Sequence, residues 1–345
     1  MKRFGFVLGF ALSVATSVVT SAASAQTVST LEQVRERGFV VCGVTDRMPG
    51  FATQHEDGTW SGFNVAFCKG LAAAVLGDAQ AYRAMDYWLD ALVARDVDVL
   101  HAGSTWTFER DTNQGVDFPA TYFYDGQGII AHAGLGVTNL REAAKSNEVK
   151  VCAISPTSTA LSNLQDYMAK NPVSWQIVNV QTLDGMWRAF FGGRCNMAIH
   201  DRTALAGVHA GRLQDSADYV VFSEVISKEP LAPAVRQGDP VWRDLVGWVT
   251  YVTVAAEEFG ITQANVDDMK ATSKVPQIRR LLGADPGLGE GFGLDDEWAY
   301  RVIKQVGNYG EIFERNLGQG SPLKLARGLN ALWTEGGLMY APPVR

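Results

Sequence analysis

The chain has 345 residues, 30 Lys and Arg against 37 Asp and Glu, a net charge of −7, and 47% hydrophobic residues. No long basic run exists to grip phosphates, so a nucleic-acid or anionic-membrane role is disfavoured. The length is enough for two domains.

Residues 1–25 read as an export leader. Lys2 and Arg3 precede an apolar stretch, Phe4 to Val19, and Ala23-Ser24-Ala25 is a small-x-small cleavage site. A membrane anchor is the alternative, but the run is short for a span and its far end is rich in Ser and Ala. No Cys follows the run, which argues against a lipid anchor. The mature chain is expected to begin at Gln26 in the periplasm, with 28 Lys and Arg against 37 Asp and Glu. No later segment holds about 18 uncharged apolar residues, so a soluble mature protein is expected.

Beyond the leader, Phe39 to Val44 is an apolar, β-branched run and predicts a buried strand. Glu56-Asp57-Gly58 marks a hairpin or loop. Helical spacing runs from Asn64 to Leu76 and again from Asp86 to Ala94, and Val97 to Leu100 is a short strand. The alternation then repeats, with strands at 149–154, 176–180, 195–199 and 219–222 and helices at 158–169 and 183–191. Helices dominate from about residue 239, with long ones at 242–258 and 297–317. Alternating strands and helices predict an α/β fold with a mainly parallel sheet in each of two units. The Gly-rich stretch 283–293 lacks a preceding strand and a Gly-Lys-Ser/Thr ending, so it reads as a surface loop and no cofactor is expected.

Cys42, Cys68, Cys152 and Cys195 form an even set in an exported chain, and four cysteines allow three pairings. Pairing Cys42 with Cys68 and Cys152 with Cys195 would put one staple in each unit, worth roughly 3–4 kcal/mol apiece. Zinc is the rival, but no two cysteines are two to four residues apart and the five histidines are scattered. No metal is expected.

In open α/β sheets, ligands sit beyond the carboxyl ends of strands. After the strand ending at Leu100 come His101 and then Gly103-Ser104-Thr105, followed by Arg110. Arg110 offers a two-pronged fork to a carboxylate and Thr105 an amide or hydroxyl donor; a surface Arg paired with Asp111 or Asp117 is the plainer alternative. After the strand at 149–154 come Thr157 and Ser158 at a helix start, where hydroxyls are N-caps first and an anion cradle second. Asp201 follows the strand at 195–199 and either holds an ammonium or caps the next helix. Together, Arg with free amides for a carboxylate and Asp for an ammonium are the polar recognition set of an α-amino acid.

The stretches SKEPLAPAVRQGD (227–239), AAEEFGITQANVDDM (255–269) and GNYGEIFERNLGQGSPLKLARGLNALW (307–333) carry a close resemblance, together with STWTFERDT (104–112), FYDGQG (123–128) and the four Cys positions. The chain resembles the general L-amino-acid-binding periplasmic proteins of polar amino-acid ABC transporters, solute-binding protein family 3, over essentially its whole mature length. The resemblance implies a type II periplasmic-binding-protein fold of two lobes joined by two hinge strands, with a helical C-terminal extension. Residues 26–124 with 230–345 would form lobe 1, and 125–229 lobe 2. It implies that Arg110 binds the α-carboxylate, that Thr105 stands just upstream of it, that Thr157 and Ser158 hold the ligand backbone, and that Asp201 takes the α-ammonium. It further implies a monomer that closes over its ligand and docks on a membrane permease, with no cofactor.

The chain departs from the family where relatives usually carry Arg-Asn (here Ala102-Gly103), Gly (Pro156), Gln (Ile154), Asp (Asn64 and Ala66) and Thr (His200). Asp46, Arg47, Tyr87, Trp88 and His101 are then candidates to line a larger pocket around Gly103, for an aromatic or decorated amino acid. The alternative is drift within a broad-specificity site. Two other classes share the fold: an exported enzyme, dehydratase-like, which needs a general acid in the cleft, and a sensor that presents bound ligand to a receptor. Glu109 and Asp46 are the nearest acids for the former, and neither has an obvious partner.

Overall fold

A computed structural model describes residue 1 and residues 29–46, 48–155, 158–210 and 217–345. The rest of the expected leader, and the candidates Arg47, Pro156 and Thr157, lie outside the described residues. Two separate mixed sheets carry the two lobes, and a small hairpin pairs Thr53–Gln54 with Trp60–Ser61. The first runs in the order Tyr82–Asp86, Val40–Val44, Val99–Thr105, Glu229–Arg236, Val116–Asp117, with Phe123–Asp125 also paired to Glu229–Arg236. The second runs Gln176–Val180, Lys150–Ile154, Met197–Asp201, Gln127–His132, Tyr219–Val221. In each sheet the first three strands are parallel and the remaining pairings antiparallel.

The chain passes between the sheets twice, through Gly126 and through residues 222–228. Both crossings meet at one place: Asp125 pairs with Glu229, and the Ile226 amide donates to the Gln127 carbonyl at 2.9 Å. A Cβ on Gly126 would lie 2.7 Å from the Ser227 carbonyl oxygen and 2.9 Å from Val225 Cβ, so only glycine lets the two segments touch there.

The helix Phe63–Leu76 is buried along most of its length and packs into the core of the first lobe with Pro240–Glu258. The latter starts with Pro240 at its first turn and an Asp239 cap bonded to the Trp242 amide at 3.2 Å. The predicted helix 297–317 is two helices, Trp298–Val306 and Tyr309–Asn316. Gly307 breaks it, and Asn308 with Glu311 forms a capping box that starts the second. The C-terminal helices join the same core through Trp298, Val302, Tyr309 and Phe313.

Other expectations are corrected at their edges. Residues 82–86 are a strand and the helix begins only at Leu89. The strand at 97–100 runs instead from Val99 to Thr105. Glu229–Arg236, Phe123–Asp125 and Gln127–His132 are strands the sequence pattern does not announce. Cys42 pairs with Cys68 and Cys152 with Cys195, one disulfide beneath each sheet's first strands. Among the described residues no helix is long and apolar enough to cross a membrane, and no cluster of His, Cys, Asp and Glu is placed to hold a metal ion.

Candidate functional site

A cavity of about 230 Å³ lies between the lobes, at the carboxyl ends of the parallel strands of both sheets. From the first sheet come Ala102, Gly103 and Thr105, with Thr45, Met48 and Trp88 on the loops that follow its strands and Arg110 on the helix Phe108–Asn113. From the second come Ile154, Ser158, Thr159, Gln181, Thr182, Leu183, His200 and Asp201. It opens past Trp88, Arg110, Ser158 and Thr159 into a wider cleft of about 950 Å³ reaching Thr107, Ser162 and Gln165.

Arg110 sits one turn into the helix Phe108–Asn113, which Thr107 caps. It is buried, its Nη1 donates to the Thr105 carbonyl at 2.9 Å, and its guanidinium lies 5.8 Å from the Trp88 ring. Burial pulls its proton affinity down, and the charges of Glu229 and Asp201 oppose that. The carboxylates whose charges act on it are Glu229, Asp201 and Glu109, in place of the Asp111 and Asp117 of the plainer alternative.

On the opposite lobe, Asp201 ends the strand Met197–Asp201 and precedes the helix Arg202–Val208, yet its side chain makes no cap bond. Its Oδ1 accepts from Gln127 Nε2 at 2.5 Å, and its backbone amide donates to His200 Nδ1 at 2.7 Å. His200 is therefore an acceptor at Nδ1, and burial pushes it down to about 4, so it is uncharged. Burial and the neighbouring carboxylates of Asp125 and Glu229 raise the Asp201 carboxyl well above the usual range. Burial also raises Asp125, to about 6, although the Thr203 hydroxyl and amide donate to it. Three carboxyl groups, Asp125, Asp201 and Glu229, thus share this region with the one guanidinium of Arg110.

Ser158 is first an N-cap, its hydroxyl accepting from the Ala160 amide at 3.1 Å, while it also lines the cavity. Gly103 adopts φ +67 where the ladder to Glu229–Arg236 slips between Ala232 and Ala234. A Cβ there would meet Met48 Sδ at 2.5 Å, so the bare glycine seats the Met48 thioether against the cavity floor.

Of the residues expected to enlarge the pocket, Trp88 lines it. Asp46 and Tyr87 are exposed and outside its lining. His101 is corrected: its ring stacks on Phe67 at 5.9 Å in the lobe-1 core, and burial pushes it down to about 3. Strand alternation turns it away from the cleft face that Ala102 occupies. The sequence reading missed Met48, Gln181, Thr182, Gln127 and Glu229.

Residues 40–260 match the model of the bacterial extracellular solute-binding proteins, family 3. The chain belongs to that family. It is 46% identical over 330 residues to the general L-amino acid-binding periplasmic protein AapJ of Rhizobium johnstonii, covering 94% of this chain and 95% of that protein. Identity is 43% over 327 residues, with the same coverage, to the glutamate/glutamine/aspartate/asparagine-binding protein BztA of Rhodobacter capsulatus. A solved ABC transporter periplasmic binding protein from Brucella ovis, with glutathione bound, superposes with TM-score 0.86 at 41% identity, over 92% of this chain and 99% of that one. This family-3 chain is a solute-binding protein of the amino-acid ABC-transporter class, with the two-lobed type II fold, and these relatives are binding proteins.

Proposed function

We propose that the protein captures, in the periplasm, a ligand with a free α-amino-acid head and an extended tail, with glutathione the leading candidate, for hand-over to an ABC permease. The observation that carries the reading is the facing pair: buried Arg110 on one lobe and Asp201 on the other line one cavity. Arg110 binds the α-carboxylate and Asp201 the α-ammonium, so one zwitterionic head touches both lobes and favours the closed arrangement. Glutathione presents such a head on its γ-glutamyl residue, and its remaining two residues extend into the wider cleft beside Trp88, Ser162 and Gln165. Ala102, in place of the longer residue usual in the family, leaves room in the inner cavity.

In this reading residues 26–124 with 230–345 move against 125–229 about the two crossings. The export leader at 1–25 is cleaved, and the mature protein works as a monomer. The test is a thermal-shift and calorimetric screen of protein refolded free of ligand, with glutathione, γ-glutamylcysteine and the twenty L-amino acids. At 100 times its dissociation constant a ligand adds about 2.7 kcal/mol of stability. Tighter binding of the γ-glutamyl compounds supports the extended-ligand reading. Equal binding of many free amino acids overturns it in favour of a broad site.

A further inference from the structure

Glu229 is 1% exposed, and no catalytic or ligand role has so far used it. It opens the strand Glu229–Arg236 at the point where the second crossing re-enters lobe 1. Four donors surround its carboxylate. Oε2 accepts from the Thr105 hydroxyl of lobe 1 and from the Thr159 hydroxyl of lobe 2 at 3.1 Å. Oε1 accepts from Asn163 Nδ2 at 2.5 Å, again lobe 2, and from the Ser227 hydroxyl of the crossing at 3.1 Å. One buried side chain therefore joins a lobe-1 strand, the second crossing and the first two turns of the lobe-2 helix Thr159–Lys170.

A carboxylate accepts and does not donate, and each hydroxyl has a single proton. Thr105 and Thr159 both line the ligand cavity, and both point that proton at Glu229. What each hydroxyl turns toward a ligand is a lone pair. The Thr105 hydroxyl is thus not the carboxylate donor expected from the sequence; it suits an N–H of an ammonium.

We propose that Glu229 is a positioning residue with two linked effects: it ties the lobes together across the hinge, and it fixes the Thr105 and Thr159 hydroxyls as acceptors, so that the cleft selects ligands carrying an α-ammonium. The second effect rests on the proposed α-amino-acid reading of the cleft; the first does not.

The test uses the mature protein and two variants, Glu229→Gln, which keeps the shape but opposes an N–H to part of the donor set, and Asn163→Ala, which removes a lobe-2 donor outside the cavity lining. Thermal melts confirm that each folds. Without ligand, energy transfer between dyes on the two lobes is expected to report a larger mean separation in both variants. An unchanged separation in both overturns the tie. With ligand, the readout is the ratio of dissociation constants for glutathione and for its analogue lacking the α-ammonium. Glu229→Gln is expected to shrink that ratio about tenfold, as loss of a charge-assisted network predicts. Equal weakening of both compounds is what a merely structural role gives, and it overturns the acceptor-fixing effect. If the wild type binds no compound with an α-amino-acid head, the reading of the cleft has failed together with the selectivity that rests on it, and the dye separation still decides the tie.

Discussion

Replacing Asp201 by Asn is expected to move binding and stability in opposite directions. The substitution keeps the shape, keeps an acceptor for Gln127 and costs no helix cap, because the Asp201 side chain makes none. It removes the charge proposed to hold the ligand's ammonium. A hydrogen bond to a charged group is worth about 1.5–3 kcal/mol, so the dissociation constant is expected to rise by about 10- to 150-fold. Stability changes the other way. Burial and the carboxylates of Asp125 and Glu229 raise the Asp201 carboxyl in the folded protein. An acid with a raised folded pKa stabilises fully below its unfolded value, 3.8, and loses that contribution as pH rises through the folded one. Each unit of such a raise costs about 1.4 kcal/mol once the pH is above both values. Asp201→Asn is therefore expected to melt above the wild type at neutral pH, by about 1–4 °C for each kcal/mol recovered, with a gap that closes toward pH 4. Differential scanning calorimetry of both proteins from pH 4 to 8, paired with isothermal titration, measures both arms. A variant that melts lower across the whole range, or binds as tightly as the wild type, refutes the reasoning.

The same cluster makes binding pH-dependent. Asp125 sits at about 6 and Asp201 is raised, so an arriving ammonium drives protons off; His200, at about 4, stays neutral. Affinity is expected to improve as pH rises from 5 to 7, with proton release seen as a buffer-dependent heat; a flat profile sinks the claim. Gly103→Ala forces a side chain into φ +67 and against Met48 Sδ, so urea denaturation is expected to show a loss of about 1–2 kcal/mol from the backbone alone, and a smaller cavity. A variant as stable as the wild type would show that the strand irregularity relaxes. Replacing Cys152 and Cys195 by Ala together removes a cross-link spanning 43 residues, with an expected loss of about 4 kcal/mol on the loop-entropy model; non-reducing peptide mapping checks the pairing itself.

The parts of the fold that were legible in the sequence are those where local chemistry and tertiary role agree. Val40–Val44 and Lys150–Ile154 are strands fully or mostly buried, and their unbroken apolar runs say so. Tyr82–Asp86 is a half-exposed edge strand whose Arg and Asp mask any run. Glu229–Arg236 contains Pro230 and Pro233, which argue against a strand locally. The register slips between Ala232 and Ala234, where Pro233 has no N–H to give the ladder. That Arg110 and Asp201 line one cavity was legible because each lies at or just beyond the carboxyl end of a strand. Its support was not: Glu229 is 124 residues from Thr105 and 70 from Thr159, and no local pattern encodes such a meeting. His101 misled because the strand continues past Leu100, and its alternation then points the ring into the core.

The contact of the two crossings at Gly126 limits how the molecule can move. Two strands touching and hydrogen-bonded at one point act as a leaf spring rather than as two independent strings. Such a spring flexes easily across its thin direction and resists shear and twist in the others. In the proposed hinge reading, opening would then be reduced to one rotational coordinate, and a receptor of the closed state would need to sense a single angle. A side chain at position 126 would wedge the leaves apart and return the freedom that the glycine removes.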